Sequence, residues 1–573
     1  MGMLYFPSVM KSQQLLLLLL LCPVLLLARQ KPGAAIPWTT YEAENMRTSG
    51  QVLGPQYGPY RVETESSGQR CVQLKGKGQY VEFTALANAN ALVVRYSLPD
   101  AGKGGGLKST FGIYRNGQLV KDCHVTSRYC YLYGKYPFSN DPDSGKVRNF
   151  YDELRLRDVA VRKGDIVRIA LDCKAGDITR CIIDMADLEQ VAPALAMPVN
   201  ALSLADFSDG GTDYTDAMRK CIAAAASGGK TVWLPVGTYK ITGDIVVPSG
   251  VIIQGAGMWY SVLEGDENAY ASANKRVRIK GTGSNIHLAD FAITGKLNYR
   301  NDSETNDGIF GTYGTGSTIS RLWIEHTKVG MWIENSEGLV VEGCRLRNTI
   351  ADGINFCVGM RGCVMRNCTA RGGGDDCFAI WPAPFRKQEY VPGHNVIENC
   401  TGQLVFLANG AAIYGGDSNT VRNCIFTDIT PGCGVLISNT FPTSRKGSDN
   451  NFTGTTLVED CELRTCGGFD HEWNWRAALE ICVDKRDISG LVIRDVEMEN
   501  SLSNGINVRA RNAGDKIGSL QNTLLERVKV AKVGLGMRNA YGLFVNDGAH
   551  GSLMVRACEL GVIKNDAGTF TLQ

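Results

Sequence analysis

The 573-residue chain has little that would tie it to nucleic acid: 60 basic residues face 58 acidic ones, the formal charge is +2, and neither sign gathers into a block or tail. No nucleic-acid partner is therefore expected. Long apolar runs are as scarce. One, from Leu15 to Ala28, follows Lys11 and is interrupted by Pro23, short for a bilayer span and suited to the apolar stretch of a secretory signal. No later segment approaches the length of a transmembrane helix. A signal peptide within residues 1–35, cleaved between Ala28 and Ala35, a secreted extracellular or cell-wall location and no membrane attachment after cleavage are the expectation. The chain also lacks an HExxH helix, a zinc-type CxxC pair, a nucleophile elbow and a phosphate loop, which leaves metalloprotease, esterase and kinase chemistry without support.

Cysteine, by contrast, is plentiful, at 19, and in an exported chain it would ordinarily mark a disulfide framework. Its placement argues otherwise for part of the chain. Beyond Val251 the sequence becomes a loose repeat, LVVEGCRLRNTIADGINF, CVMRNCTARGGGDDCFAI, TVRNCIFTDITPGCGVLIS, TLVEDCELRTCGG, in which Cys344 to Cys368 and Cys400 to Cys424 both span 24 residues. A period in the twenties, rich in β-formers, Gly and Asn and without a leucine consensus, predicts an all-β solenoid: a right-handed parallel β-helix of the pectate-lyase-like kind. Cys344, Cys368, Cys400, Cys424 and Cys461 then stack inward as small hydrophobes, mostly free. The stretch DYTDAMRKCIAAAA carries apolar residues at helical spacing and predicts a helix over Tyr214–Ala226 that caps the first coil. Upstream, GQYVEF, ALVVRYSL, STFGIYRNGQLV and DIVRIALD alternate apolar and polar positions between turn residues, predicting a β-sandwich over 36–191, joined by residues 192–198 to the β-helix of 199–573. Its Cys71, Cys123, Cys130, Cys173 and Cys181 are candidates for disulfide pairing.

Within the repeat, Asp352 precedes the pair Asp375 and Asp376 by one coil length. The three carboxylates should cluster on two neighbouring coils, with Gly372, Gly373 and Gly374 letting the backbone kink so that both members of the pair reach one cleft. Acids so close repel, raise at least one pKa and set a protonated acid beside an ionised base, the division that glycoside hydrolysis needs. A solvated turn or a structural calcium site is the competing meaning of the pair. Insertions near the cleft carry aromatics suited to sugar faces. The candidate substrate-binding residues are Asn355, Trp381, His394, Trp473, Trp475 and Glu480.

GAGMWYSVLEG at 255–265, RLWIEHTKVGMWIE at 321–334, ADGINF at 351–356 and GGGDDCFAIW at 372–381 resemble the catalytic β-helix of glycoside hydrolase family 87, the mycodextranases and α-1,3-glucanases, from about Val199 to the C-terminus. The resemblance implies endo-hydrolysis of α-1,3-glucosidic bonds in α-1,3-glucan or mixed α-1,3/α-1,4-glucan (nigeran), with inversion, by Asp352, Asp375 and Asp376 and without a catalytic cofactor. By analogy with related inverting β-helix hydrolases, Asp375 is the general acid and Asp352 and Asp376 activate water. The sandwich, through YEAEN at 41–45, FGIYRNGQLV at 111–120 and IIDMADLE at 182–189, resembles carbohydrate-binding module family 6, which implies a structural calcium at Glu42, Glu44 and Asp184. Tyr129, Tyr131 and Tyr133 are either a glycan platform or packing against the β-helix. An α-glucan partner and a monomer are expected; a polygalacturonase-like hydrolase, a lyase and a non-catalytic glycan-binding surface protein are the alternatives.

Overall fold

The computed structural model describes residues 31–136, 138–267, 275–304, 307–443, 452–472, 474–511 and 518–573. The expected signal segment up to residue 30, and Trp473, lie outside the described residues.

Two antiparallel sheets form the N-terminal sandwich. In one, Ala89–Ser97 lies between Asp152–Val161 and Cys181–Glu189, and Trp38–Glu42 pairs with the latter; in the other, Ile166–Leu171 lies between Tyr80–Thr84 and Lys108–Arg115. Alternating inward residues, among them Leu92, Val94, Phe111, Ile113 and Ile169, fill the space between the sheets. All five sandwich cysteines are buried free thiols packed as small core side chains, so the expected pairing there does not occur.

From Ala201 onward the chain winds through three long parallel sheets, of 16, 11 and 12 strands among the described residues. A typical coil contributes one short strand to each sheet, as in Val364–Arg366, Thr369–Arg371 and Phe378–Ile380. The first corner of the coil explains the polar residue ahead of each ladder cysteine. Gly343, Asn367, Asn399, Asn423 and Asp460 all take left-handed backbone, with φ of 64°, 53°, 51°, 52° and 53°, a conformation that Gly, Asn and Asp adopt most readily. The cysteines that follow point inward and are free and buried. The helix Thr215–Gly228 buries Ala217, Met218, Cys221, Ile222 and Ala225 against the first coil and ends on left-handed Gly229.

The sandwich is seated on the solenoid through buried ion pairs. Arg371 binds Glu153 at 2.5 Å and Asp187 at 2.8 Å, Arg345 forks onto Glu189 at 2.6 and 2.7 Å, and Asp152 takes both His326 (2.8 Å) and Asn348 (2.9 Å). Phe150 stacks on Phe406 at 4.1 Å. Tyr129 stacks on His326, also at 4.1 Å, so of its two expected roles it takes packing against the β-helix. Residues 33–35 run along the solenoid, their amides bonding Asn423 O, Thr401 Oγ1 and Asn367 Oδ1.

Candidate active site

The three acids sit at the corner between the 11-stranded and 12-stranded sheets. Strand register aligns Ile354, Phe378, Ala411 and Val435, so Asp352, Asp376, Asn409 and Cys433, each two residues earlier, share one coil position. They are stitched together: Asp352 Oδ1 accepts from the Asp376 amide (3.2 Å), Asp376 Oδ1 from the Asn409 amide (3.1 Å), and Asn409 Oδ1 from the Cys433 amide (2.9 Å). Asp375 is the extra residue that the kink throws outward. One carboxyl oxygen from each of Asp352, Asp375 and Asp376 lies within 4.8 Å of the other two.

Two of the three glycines have separate tasks in that kink. Gly372 takes φ +73°, and a Cβ there would stand 2.3 Å from Asn348 Oδ1; a Cβ on Gly374 would meet Ile350 O at 2.2 Å and the Phe406 ring at 2.5 Å. Gly372 supplies the left-handed turn and Gly374 the close approach of two coils.

The acids differ in their surroundings. Asp376 is buried, accepting from Asn409 Nδ2 at 2.7 Å and the Tyr414 hydroxyl at 2.9 Å; burial first, and then the charge of Asp375, pushes it up to about 7. Asp352, also buried, accepts from Asn355 Nδ2 at 2.9 Å, and burial followed by Asp375 and Asp376 raises it well above the usual carboxylate range. Asp375 is half-buried and pairs with Arg300 Nη2 at 2.6 Å. The same guanidinium donates to Gly374 O (2.7 Å), Ile350 O (3.4 Å) and Asp302 (2.9 Å), and so ties the two acid-bearing coils together.

A raised carboxyl pKa has a sign for stability. The folded state favours the protonated form of Asp376, so its contribution is complete below about 4 and is lost as pH rises through about 7. Asp376→Asn keeps the carbonyl acceptor of the ladder and is neutral at every pH. Relative to the native chain it should gain on the order of 2 kcal/mol between pH 5 and pH 8. Melting curves at both pH values check this, and a gain independent of pH would remove the electrostatic explanation.

Two cavities meet at Asp375. The larger, about 430 Å³, is lined by Arg300, Trp332, Asp352, Asn355, Trp381 and Phe385 among others; the smaller, about 220 Å³, by Asn409, Leu436, His471, Arg476 and Arg511. Both are lined by Tyr136, Asp375, Tyr414 and Phe441. Trp332, Trp381, Phe385 and Phe441 form a contiguous aromatic wall, with Phe385 52% and Phe441 42% exposed.

Of the expected substrate contacts, Asn355 and Trp381 line the groove. His394 does not: it stands at the corner between the 12-stranded and 16-stranded sheets, paired with Asp417 at 3.1 Å. Glu480 occupies the same cross-coil row as Trp332, Asn355 and Leu436, but Arg476 (2.5 Å) and Asn507 (3.2 Å) bond it and leave it fully buried. It anchors Arg476, which lines the groove in its place. Trp475 packs on Phe469 at 5.3 Å and lines neither cavity.

The calcium set is not assembled as expected. Asp184 is fully buried and spends its oxygens on the Arg95 guanidinium and the Ser67 amide. Glu42 and Glu44 keep one buried oxygen each without a partner. Among the described residues, however, only the aspartate trio brings three acidic oxygens within 4.8 Å, a spacing that a hard cation could bridge.

Arg300, Tyr136, Tyr414, Asn409, Trp332, Phe385 and Phe441 were not singled out from sequence. Asn409 had a signal, since it repeats the coil position of Asp352 and Asp376.

A glycosidic oxygen needs a proton donor opposed by a base, and sugar rings need aromatic faces; a groove offering both at one corner of a parallel β-helix makes this chain a glycoside hydrolase. Residues 35–191 match the family described as alpha-1,3-glucanase catalytic domain D1, and residues 216–548 the one described as alpha-1,3-glucanase catalytic domain D2. The chain belongs to the α-1,3-glucanase catalytic-domain family.

Its fold is similar to the catalytic unit of a thermostable GH87 alpha-1,3-glucanase from Streptomyces thermodiastaticus strain HF3-3, with 30% identity, 94% of this chain and 96% of that one covered, and a TM-score of 0.78. A GH87 alpha-1,3-glucanase catalytic domain in complex with nigerose is 26% identical, with 94% and 98% covered and a TM-score of 0.79. Solved variants of GH87 alpha-1,3-glucanase catalytic domains, each with one aspartate replaced by alanine, hold nigerose or tetrasaccharides. The replaced aspartates are an adjacent pair and one that precedes it by the interval separating Asp352 from Asp375. Among curated proteins, mannuronan C5-epimerase AlgE3 and alginate lyase 7 of Azotobacter vinelandii are 32% and 31% identical over 21% of this chain, which spans 7% and 15% of their lengths.

Proposed function

We propose that the protein is a secreted, monomeric endo-glucanase that hydrolyses α-1,3-glucosidic bonds in α-1,3-glucan or nigeran-type glucan with inversion, using Asp352, Asp375 and Asp376. The observation that carries this is the position of Asp375: alone among the acids it lines both arms of an open groove, where an internal bond of a long chain would lie. That position supports Asp375 as the acid that meets the leaving oxygen, with Asp352 and Asp376 activating water. The shared spacing of the aspartates replaced in the related structures supports the same trio.

The lining of the larger arm supports a neutral sugar. Asp302, Glu304, Asp307, Glu334 and the three catalytic candidates outnumber Arg300, Lys328 and Arg386, a balance that disfavours the carboxylated rings of a polygalacturonase or lyase substrate. For export, the contacts of residues 33–35 with the solenoid support cleavage ahead of Gly33; N-terminal sequencing of secreted protein tests it.

Two observations favour second readings. The closest carboxyl oxygens lie within 4.8 Å, whereas inverting enzymes usually separate their carboxyls by about 6.5–9.5 Å; this spacing favours retention. Arg300 on Asp375, with Asp352 and Asp376 both raised, favours Asp375 as the base and a proton held by the other two. Proton NMR of α-1,3-glucan oligosaccharides during hydrolysis should show β-anomers first; α-anomers first would establish retention. No product from any α-glucan, with Asp376→Asn as the blank, would leave only a glycan-binding protein.

A further inference from the structure

Tyr136 belongs to the sandwich, in the turn after the strand Tyr131–Tyr133, yet it lines both cavities of the solenoid groove. It shares that position with Asp375, Tyr414 and Phe441. Contacts with three residues fix it there. Its ring lies 4.9 Å from the Arg300 guanidinium and 4.7 Å from the His471 ring, and its hydroxyl lies 3.2 Å from both Asp302 Oδ2 and Arg300 Nη2. Despite these contacts it is 43% exposed. A large aromatic held on three sides and open on the fourth, beside the acid at the groove's midpoint, is arranged to receive something rather than to fill a core.

His471 adds an independent sign. It lines the smaller arm, and its Nδ1 is buried without a hydrogen-bond partner; burial lowers the imidazole pKa, so the ring is neutral near pH 7. An unpartnered ring nitrogen in a groove wall is costly unless a ligand hydroxyl completes it.

We propose that the sandwich completes the catalytic groove: Tyr136, its ring clamped between Arg300 and His471, is a substrate-contacting residue whose open edge packs against the glucosyl ring at the cleavage point, while His471 bonds one of the glucosyl hydroxyls. The N-terminal sandwich is then a working wall of the active site and not an independent glycan-binding module. This rests on the α-glucan hydrolase reading above, and the test separates the two.

Full-length native, Tyr136→Phe, Tyr136→Leu and Tyr136→Ala proteins are assayed on α-1,3-linked gluco-oligosaccharides, with melting midpoints measured alongside. Native protein without product on any α-glucan overturns the hydrolase reading and this proposal with it. With native turnover, Tyr136→Ala should lose about 30-fold in kcat/KM, mostly through KM, with a melting midpoint within about 2 °C of native because the side chain is half open to solvent. Tyr136→Phe, which keeps the ring and loses only the hydroxyl bonds, should stay within about threefold. Equal damage by Phe and Ala would show that the hydroxyl's hold on Arg300 and Asp302 is what matters and would overturn the ring's contact with substrate, as would Ala kinetics within twofold of native. Should the Ala protein not fold, Tyr136→Leu decides on the same terms, having volume without a ring.

Discussion

Asp375→Asn is expected to lower kcat on α-1,3-glucan by about 10²- to 10⁴-fold, the range that a positioned acid or base contributes, with the fold intact. Asp375 is half-buried, and within the protein its carboxylate meets Arg300 and the Asp376 amide. Arg300 keeps Asp302 and the Gly374 and Ile350 carbonyls after the change, so little structure depends on the lost charge. The variant also separates the two assignments of the proton. If Asp375 is the acid, a substrate with an activated aryl leaving group should recover much of the loss, because such a group departs without protonation. If it is the base, azide should recover activity by replacing the water. A kcat within tenfold of native would remove Asp375 from the chemistry altogether. Asp352→Asn and Asp376→Asn should be as inactive, and the ladder explains why they remain folded: Asn409 already fills the same coil position with an amide oxygen.

The parts of this site legible in sequence were those that repeat. A 24-residue period, an Asn or Asp ahead of an inward cysteine and one coil length between Asp352 and Asp375 are properties of a solenoid, in which each coil restates the last. The acids could therefore be registered with one another, although the repeat aligns Asp352 with Asp376 and leaves Asp375 as the kink. His394 failed as a groove residue because a coil has three corners and a position near an aromatic insertion does not say which corner it faces. Glu480 faces the right way, but the loop carrying Arg476 covers it, and coverage is a matter of tertiary packing. Arg300 lies between the strands Ala292–Thr294 and Ile309–Thr315, where the repeat is interrupted, and Tyr136 meets Arg300 only because the sandwich is seated where it is. No periodicity carries that information.

The seating itself gives the largest stability effect. Arg371→Met should lower the unfolding free energy by about 3–5 kcal/mol near pH 7.5, the usual consequence of removing one partner from a buried ionic cluster. Arg371 is 3% exposed and is shared by Glu153 and Asp187 of the sandwich; without it Asp187 loses this ion pair and Glu153 keeps Arg347 at 3.7 Å. The pH dependence distinguishes charge from packing. In the native chain burial pushes Glu153 up, but Arg371 and Arg347 outweigh it and hold the carboxyl below its ordinary value. The stability this supplies is present above pH 4 to 5 and fades as pH falls through the native pKa. In the variant the stranded carboxylates shift upward and take up protons as the solution is acidified, which relieves the buried charge. Both trends narrow the gap, so the loss at pH 4.5 should be clearly smaller than at pH 7.5, whereas an equal loss at the two would assign the effect to the missing side-chain volume. Arg371 also immediately precedes Gly372, whose left-handed turn begins the kink that presents Asp375. Hydrolysis measured well below the melting midpoint should therefore fall as well, because the residue that seats the sandwich also sets the first residue of the turn on which the acids depend.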